Sequence, residues 1–226
     1  MSKRFLNKIR TLMGTETMPS DAPIALNAHS YTSPQILDAS GTQGYLAGQL
    51  LVATPLINQG CFQKSVVFVF AHNEDGAMGV IINQPLELVH FASLIEGMDL
   101  PPGAGNKEVP VYYGGPVERA RGFVVHSTDY HKDFTLVAHN DVAITASSAV
   151  LADIVAGVGP EKSALIVGYA GWDAGQLEAE IEQNSWIHVP ATSKLVFDTE
   201  NEMKWAMASK SLGVDMNFFS MAVGHA

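Results

Sequence analysis

Short apolar runs rich in β-branched and aromatic residues dominate the chain from about residue 43 onward. Gly, Pro, Asn or Asp bounds most of these runs, which is the pattern of β-strands separated by turns. Several runs are apolar at consecutive positions, which favours strands covered on both faces. Ten strands are predicted in this way: QLLVAT (49–54), SVVFVFAH (65–72), AMGVIIN (77–83), VPVYY (109–113), GFVVHS (122–127), FTLVA (134–138), VAIT (142–145), SALIVGY (163–169), WIHV (186–189) and KLVF (194–197).

The link NEDG (73–76) joins the second and third of these runs. Its Gly76 can adopt a positive φ angle without steric cost, as tight turns often require. The pattern therefore predicts a β-hairpin.

Helical periodicity is rarer and lies mainly in the second half of the chain. Asp173 with Gln176, and Thr199 with Glu202, have the spacing of a capping box at a helix start. The predicted helices are HFASLIEGM (90–98), SSAVLADIVAG (147–157), the segment 174–183 and NEMKWAMASKSLG (201–213). Strands and helices do not alternate as βαβ units require, so the sequence predicts an α+β fold with a mixed sheet.

The charge of the chain is unevenly distributed. The whole chain has a formal net charge of −10, and residues 40–226 hold nine basic and twenty acidic residues, a difference of −11. Duplex DNA is itself highly negative and normally requires a basic face. We therefore expect no specific DNA binding by this part of the chain.

Residues 1–42 are predicted to form a poorly ordered extension before a single domain at 43–226. The segments TETMPSDAP and AHSYTSPQ are rich in turn formers and lack periodicity. The first residues could instead touch an anionic lipid or a nucleic acid, because apolar side chains at helical spacing oppose basic ones. The apolar residues are Phe5, Leu6, Ile9 and Leu12, and the basic residues are Lys3, Arg4, Lys8 and Arg10.

Two features of the sequence indicate the cellular compartment of the protein. The apolar runs are far shorter than the roughly 20 residues that span a membrane, and no secretory signal is recognised at the start of the sequence. Cys61 is the one cysteine in the sequence, so no intrachain disulfide can form. A reducing cytoplasm is expected.

A set of motifs resembles the AlgH/YqgE family, an uncharacterised bacterial family often labelled a putative transcriptional regulator. In order, the motifs are LLVATP, SVVFVFAHNEDGAMGVIINQP, YYGGPV, GFVVHS, ITASSAVLADIVAG, LIVGYAGWDAGQLEAEIEQNSWI and the terminal LG and VGHA. The resemblance covers about residues 43–226. The chain departs from the family pattern at NQGCF, before Lys64, where arginine is common.

The resemblance implies an α+β fold with a mixed, branched β-sheet that is partly closed into a small barrel and surrounded by helices. It implies no settled biochemical activity. The regulator label of the family rests on a link to exopolysaccharide production in one branch, and the acidic body gives no support to direct DNA binding.

Two glycine-flanked segments, YYGGPV and GYAGWDAGQ, are the leading candidates for a ligand or partner site. Both follow predicted strands, and their glycines allow close backbone approach. If the strands are neighbours, the two segments could line one depression with Trp172 at its rim, partly exposed. Alternatively, Trp172 covers the end of the sheet as packing. The candidate site comprises His72, Asn83, Gly114, Gly115, Pro116, Gly171, Trp172, Asp173 and Gln176.

His72 ends the first hairpin strand and Asn83 ends its partner, so the four-residue link would place them at the same end only if the pairing extends fully. The alternative is that each bonds local backbone. His126, at the end of another strand, has the same two interpretations.

No motif indicates a cofactor or a metal. The sequence has no H-E-x-x-H pair, G-x-S-x-G elbow or P-loop, and a base for Cys61 cannot be located from sequence. The sequence therefore predicts a non-enzymatic regulatory or binding module that contacts a protein or small ligand. The alternative is a hydrolase or transferase of unrecognised type that uses His72 or His126 as general base.

Overall fold

The computed structural model describes residues 45–95, 108–132, 135–139 and 141–213. The predicted extension 1–42 lies outside these residues. The strands are β1 (Gln49–Ala53), β2 (Val66–Asn73), β3 (Gly76–Ile81), β4 (Val111–Tyr113), β5 (Val117–His126), β6 (Thr135–His139), β7 (Val142–Thr145), β8 (Ser163–Asp173) and β9 (Trp186–Pro190). The helices are α1 (Phe91–Ile95), α2 (Ala149–Ala156), α3 (Gln176–Glu182), α4 (Ser193–Phe197) and α5 (Asn201–Lys210).

The strands form one curled sheet that makes a half-barrel, in the order β6, β7, β5, β8, β3, β2, β1, β9. These neighbours are antiparallel, whereas β4 joins β8 in parallel. The prediction of an α+β fold with a mixed sheet is therefore confirmed. The predicted hairpin is also present, because Asn73 pairs with Gly76 across the turn between β2 and β3.

The sheet branches at β8, the longest strand. Its first half pairs with β5 on one edge and β4 on the other, whereas residues 170–173 pair with β3. The change of partner falls at Gly168, whose φ of 78° is in the left-handed region that favours glycine. This bend lets one strand belong to both arms of the sheet.

Apolar side chains pack on both faces of the curled sheet. One cluster, which includes Leu50, Phe68 and Trp205, brings α4 and α5 against the strands. A second cluster lies beneath α1 and α2 and includes Leu94 and Leu151. The third cluster lies beneath α3 and contains Trp172. Burial on both faces explains why several strands are apolar at consecutive positions.

Two predictions about elements are wrong, and so is the capping box at Thr199 and Glu202, because Thr199 Oγ1 donates to the Lys194 carbonyl at 2.8 Å. KLVF belongs to helix α4, because the Thr192 side chain accepts a hydrogen bond from the Leu195 N–H at 3.3 Å and caps the helix. The expectation that helices surround the sheet overstates the helical part, since the described residues hold five short helices beside a nine-stranded sheet.

Candidate functional site

Trp172 lies in a strand, not in a turn, and its side chain is buried. It belongs to β8, pairs with Ala77 of β3 and is 7% exposed. Its ring meets the Trp186 ring edge-on, with centroids 6.1 Å apart. The expectation of a partly exposed Trp172 is therefore wrong. The strand continues past its glycines, and its alternation directs this side chain into the cluster beneath α3.

Glu180 of α3 is bonded by both tryptophans. Its Oε2 accepts hydrogen bonds from Trp172 Nε1 at 3.0 Å and from Trp186 Nε1 at 2.7 Å. Its Oε1 accepts a third from Gln176 Nε2 at 2.8 Å. A carboxylate with three donors is well satisfied, and hydrogen bonds to a charged group are the stronger kind. These contacts lock α3 onto the sheet and occupy the polar atom of Trp172.

The predicted capping box at Asp173 and Gln176 is half formed. Gln176 Oε1 accepts a hydrogen bond from the Asp173 N–H at 3.0 Å. The cap position itself is held by Gly175, with φ of 73°, and no side chain caps there. Gln176 thus satisfies a backbone group at the end of β8 and also bonds Glu180.

Gly114 and Gly115 allow the chain to cross closely over β8. A Cβ atom on Gly114 would lie 2.2 Å from the Gly168 carbonyl oxygen, and one on Gly115 would lie 2.3 Å from that of Tyr169. Both distances are far inside van der Waals contact. The two glycine-flanked segments therefore do meet, as the sequence predicts, but they meet through backbone packing. Pro116, the next residue, is exposed.

His72 is buried with both ring nitrogens engaged. Nδ1 accepts a hydrogen bond from the Leu46 N–H at 3.0 Å, so the ring proton is on Nε2, which donates to Glu178 Oε1 at 2.9 Å. The Tyr45 ring covers His72 edge-on, with centroids 5.1 Å apart. His72 therefore joins the segment before β1 to helix α3.

Asn83 lies at the opposite end of the hairpin from His72. Its Oδ1 accepts from the Val66 N–H at 2.8 Å, and its Nδ2 donates to the Lys64 carbonyl at 2.9 Å. His72 pairs with Ala77 beside the turn. The structure therefore does not bring His72 and Asn83 together, because hairpin strands run in opposite directions.

His126 is buried in a network of hydroxyl groups. Its Nδ1 donates to the Ser127 carbonyl at 2.8 Å, and its Nε2 accepts from Thr145 Oγ1 at 2.8 Å. Thr135 Oγ1 lies 2.7 Å from the same hydroxyl. Burial lowers the pKa of His126 below its usual value of 6.5. Both ring nitrogens of His126 are therefore bonded by other groups of the protein, as are those of His72.

Lys204 is a buried cation that the sequence analysis missed. Its Nζ donates to the Ile82 carbonyl at 2.9 Å and lies 5.0 Å from the centre of the Tyr112 ring. Burial lowers its pKa from 10.5 to about 8. One signal was present in the sequence: position 204 lies one turn before Ala208 on the stripe that includes Trp205.

The exposed part of the predicted site lies along one edge of β8. Gly171 and Asp173 alternate with the buried Trp172, and Gln176 and Pro116 are also exposed. The Asp173 N–H bonds Gln176, so it points away from β3. In an antiparallel ladder the backbone groups of alternate residues face the same edge, so the Gly171 N–H and carbonyl point the same way. Among the described residues, no ladder reaches this edge beyond Tyr169.

Neither a metal cluster nor a membrane-spanning helix is present in residues 45–95, 108–132, 135–139 and 141–213. In these ranges no group of three or more His, Cys, Asp or Glu side chains is placed to hold a metal ion. No helix in the same ranges is both long and apolar enough to span a bilayer. A cavity of about 10 Å³ lies away from Trp172, between β5, β7, β8 and α2.

Comparisons with known proteins find clear similarity over most of the chain. A family model described as AlgH-like matches residues 50–217. A UPF0301 protein of Jannaschia sp. is 45% identical over 183 residues, which are 80% of this chain and 95% of that protein. Another, of Afipia carboxidovorans, is 40% identical over 201 residues, which are 85% of this chain and 95% of the relative.

Solved structures are also similar to the chain. The solution structure of the AlgH protein from Pseudomonas aeruginosa has a TM-score of 0.66 at 38% identity and covers 84% of this chain and 100% of that one. The crystal structure of DIP2367 from Corynebacterium diphtheriae has a TM-score of 0.61 at 20% identity and covers 77% of this chain and 91% of that one. The second similarity concerns the fold alone.

Proposed function

The chain belongs to the AlgH-like family of uncharacterised UPF0301 proteins, and from this premise we propose that it is a non-enzymatic binding module. Its partner is a protein, and the partner contributes an extended peptide segment. The segment binds as an added strand along the edge of β8 and pairs with the Gly171 N–H and carbonyl, since the Asp173 N–H is already bonded by Gln176.

The observation that carries this proposal is the edge of β8 at Gly171, which no ladder reaches within the described part of the chain. Gly171 is exposed, has no side chain to obstruct an approaching strand and directs its N–H and carbonyl away from β3. An exposed edge of this kind is where peptides add to a sheet, and main-chain hydrogen bonds then provide much of the affinity. The incoming segment would be antiparallel to β8 and would lie beyond the start of β5, whose first residue, Val117, pairs with Tyr169.

The charges beside this edge favour a basic peptide. Asp173 is exposed on the edge itself and pairs with Gly76, so the exposed Glu74 and Asp75 of the hairpin turn lie next to it. Complementary charge raises association rates and selects among partners more than it adds affinity. A Lys or Arg in the peptide would therefore be preferred, and its binding would weaken in salt.

A regulatory role would act through this partner and not through DNA. The formal net charge of −10 opposes duplex binding. The free Cys61 thiol suits a reducing compartment, so we infer that the partner is met in the cytoplasm.

The alternative activity, a hydrolase or transferase based on His72 or His126, has less support. A general base needs a lone pair within reach of a substrate proton. In each of the two rings, both nitrogens already bond protein groups, and both side chains are buried.

The test is selection from a random peptide library displayed on phage, followed by binding of the enriched peptide to the protein and to Gly171→Pro. Proline removes the outward N–H and blocks the approach of a strand, yet this N–H is not used in the ladder with β3. We expect enriched peptides to be basic and to lose at least about tenfold in affinity for the variant, which corresponds to about 1.4 kcal/mol.

Gly171→Ala is the matched control, since a Cβ atom there would meet only the edge of the Tyr169 ring at 3.6 Å. It should retain binding, and both variants should keep the far-UV spectrum of the parent. Peptides that bind the Gly171→Pro protein as tightly as the parent would contradict the proposal. Turnover of a substrate that disappears in His72→Ala or His126→Ala would favour the enzyme instead.

A further inference from the structure

Helix α5 presents an unusual distribution of side chains. Its buried face includes a lysine and a serine, Lys204 and Ser209, beside Trp205 and Ala208. Its outer face carries two methionines one turn apart, Met203 at 52% exposure and Met207 at 37%. Methionine is frequent at adaptable binding surfaces because its side chain is flexible and polarisable. We call the surface formed by Met203, Met207 and the exposed carboxylates Glu200 and Glu202 the α5 face.

We propose that the α5 face is covered by residues 3–12 of the same chain. This segment places Phe5, Ile9 and Leu12 at helical spacing, flanked by basic residues. Its apolar stripe would pack on the two methionines, and the basic side chains would lie against Glu200 and Glu202. This is the helix-in-groove mode of recognition, with anchors at i, i+4 and i+7.

Charge favours residues 3–12 over residues 214–226, which come after α5 in the sequence. Residues 214–226 follow the helix directly but contain no Lys or Arg, so they cannot neutralise Glu200 and Glu202. Residues 3–12 contain four basic residues and no acidic one. A second copy of the chain would bring the same acidic face, and like charges across an interface oppose binding.

The length of chain between residues 3–12 and the domain also suits this contact. The chain enters the domain at Tyr45, and Gly48 accepts a hydrogen bond from the Ala191 N–H at 3.1 Å, directly before α4. The 32 residues 13–44 would have an average end-to-end distance of about 30 Å, comparable with the width of a small domain. A linker that matches the span gives an effective concentration in the millimolar range.

Cross-linking of the full chain tests the contact. With Cys61→Ser as background, Leu6→Cys is paired with Ser211→Cys, an exposed and uncharged position one turn beyond Met207. The control pair is Leu6→Cys with Leu88→Cys, whose parent side chain is 84% exposed and far from α5 in sequence. A short bis-maleimide should link the first pair within the monomer, at least about tenfold faster than the control, independently of protein concentration.

Reversing two charges supplies the second measurement. Arg4→Glu with Lys8→Glu should reduce the rate of the first pair to that of the control, and high salt should act in the same direction. Equal rates for the two pairs would overturn the proposal, as would a product that appears only as a dimer. A fast intramolecular rate that is insensitive to the charge reversal would also overturn it, since the carboxylates would then have no part in the contact.

Discussion

Replacing Trp172 by alanine distinguishes structural packing from a ligand-binding role for this residue. The side chain is 7% exposed and packs with Trp186 and Leu177 beneath α3. Its removal leaves a large cavity and takes one of three donors from Glu180. Truncations of this kind cost about 3 to 5 kcal/mol.

Urea unfolding followed by far-UV circular dichroism is the suitable assay, because the mutation itself alters tryptophan fluorescence. In thermal unfolding of the same proteins, the melting temperature should fall by roughly 10 °C, since 1 kcal/mol shifts it by about 2 to 4 °C in a domain of this size. The m-value should stay unchanged if only stability is affected.

Two controls separate the contributions. Trp172→Phe keeps one aromatic ring but loses the Nε1 donor and the volume of the second ring, so it should cost about 1 to 3 kcal/mol. Leu56→Ala, at a position 62% exposed, should change stability by about 0.5 kcal/mol or less. A cost below about 1.5 kcal/mol for Trp172→Ala, together with lost peptide binding, would refute the packing role.

Three further predictions concern polar groups. Burial lowers the pKa of His126, so below pH 6.5 the unfolded chain binds a proton that the folded chain excludes. The free energy of unfolding should therefore fall as the pH drops from 7 toward 5, and it should fall less in His126→Gln. His188→Gln, at an exposed position, is the control. Burial likewise lowers the pKa of Lys204 from 10.5 to about 8, so the parent should gain stability relative to Lys204→Met as the pH rises from 8 toward 10. Asn83→Ala leaves the Val66 N–H and the Lys64 carbonyl without their partner and should cost about 1 to 2 kcal/mol in urea unfolding; no loss would contradict its structural role.

The strands and the hairpin could be predicted because β-branched runs and a glycine turn are local signals. The segment KLVF shows the limit of that signal. Four residues fit either a strand or one turn of helix, and the choice is made by Thr192, which caps the Leu195 N–H. Such a contact depends on backbone geometry that the residue order alone does not specify.

The glycines of GYAGWDAGQ misled the interpretation in a different way. Glycine indicates a turn or a close approach of two backbones, and the sequence does not distinguish these. Here Gly168 and Gly114 allow strands to cross, so β8 continues and Trp172 becomes buried. The separation of His72 and Asn83, in contrast, follows from the hairpin itself, because residues equidistant from the turn are paired.

The proposed edge of β8 can be tested most directly by amide hydrogen exchange, resolved by NMR, with and without an enriched basic peptide. In the protein alone, the Gly171 amide should exchange quickly, whereas those of Ala170 and Trp172, which face β3, should be protected. Bound peptide should slow exchange at Gly171 by at least about tenfold, since a new ladder bond forms there. If Gly171 is already protected in the protein alone, or stays unprotected with peptide bound, this edge is not the binding surface.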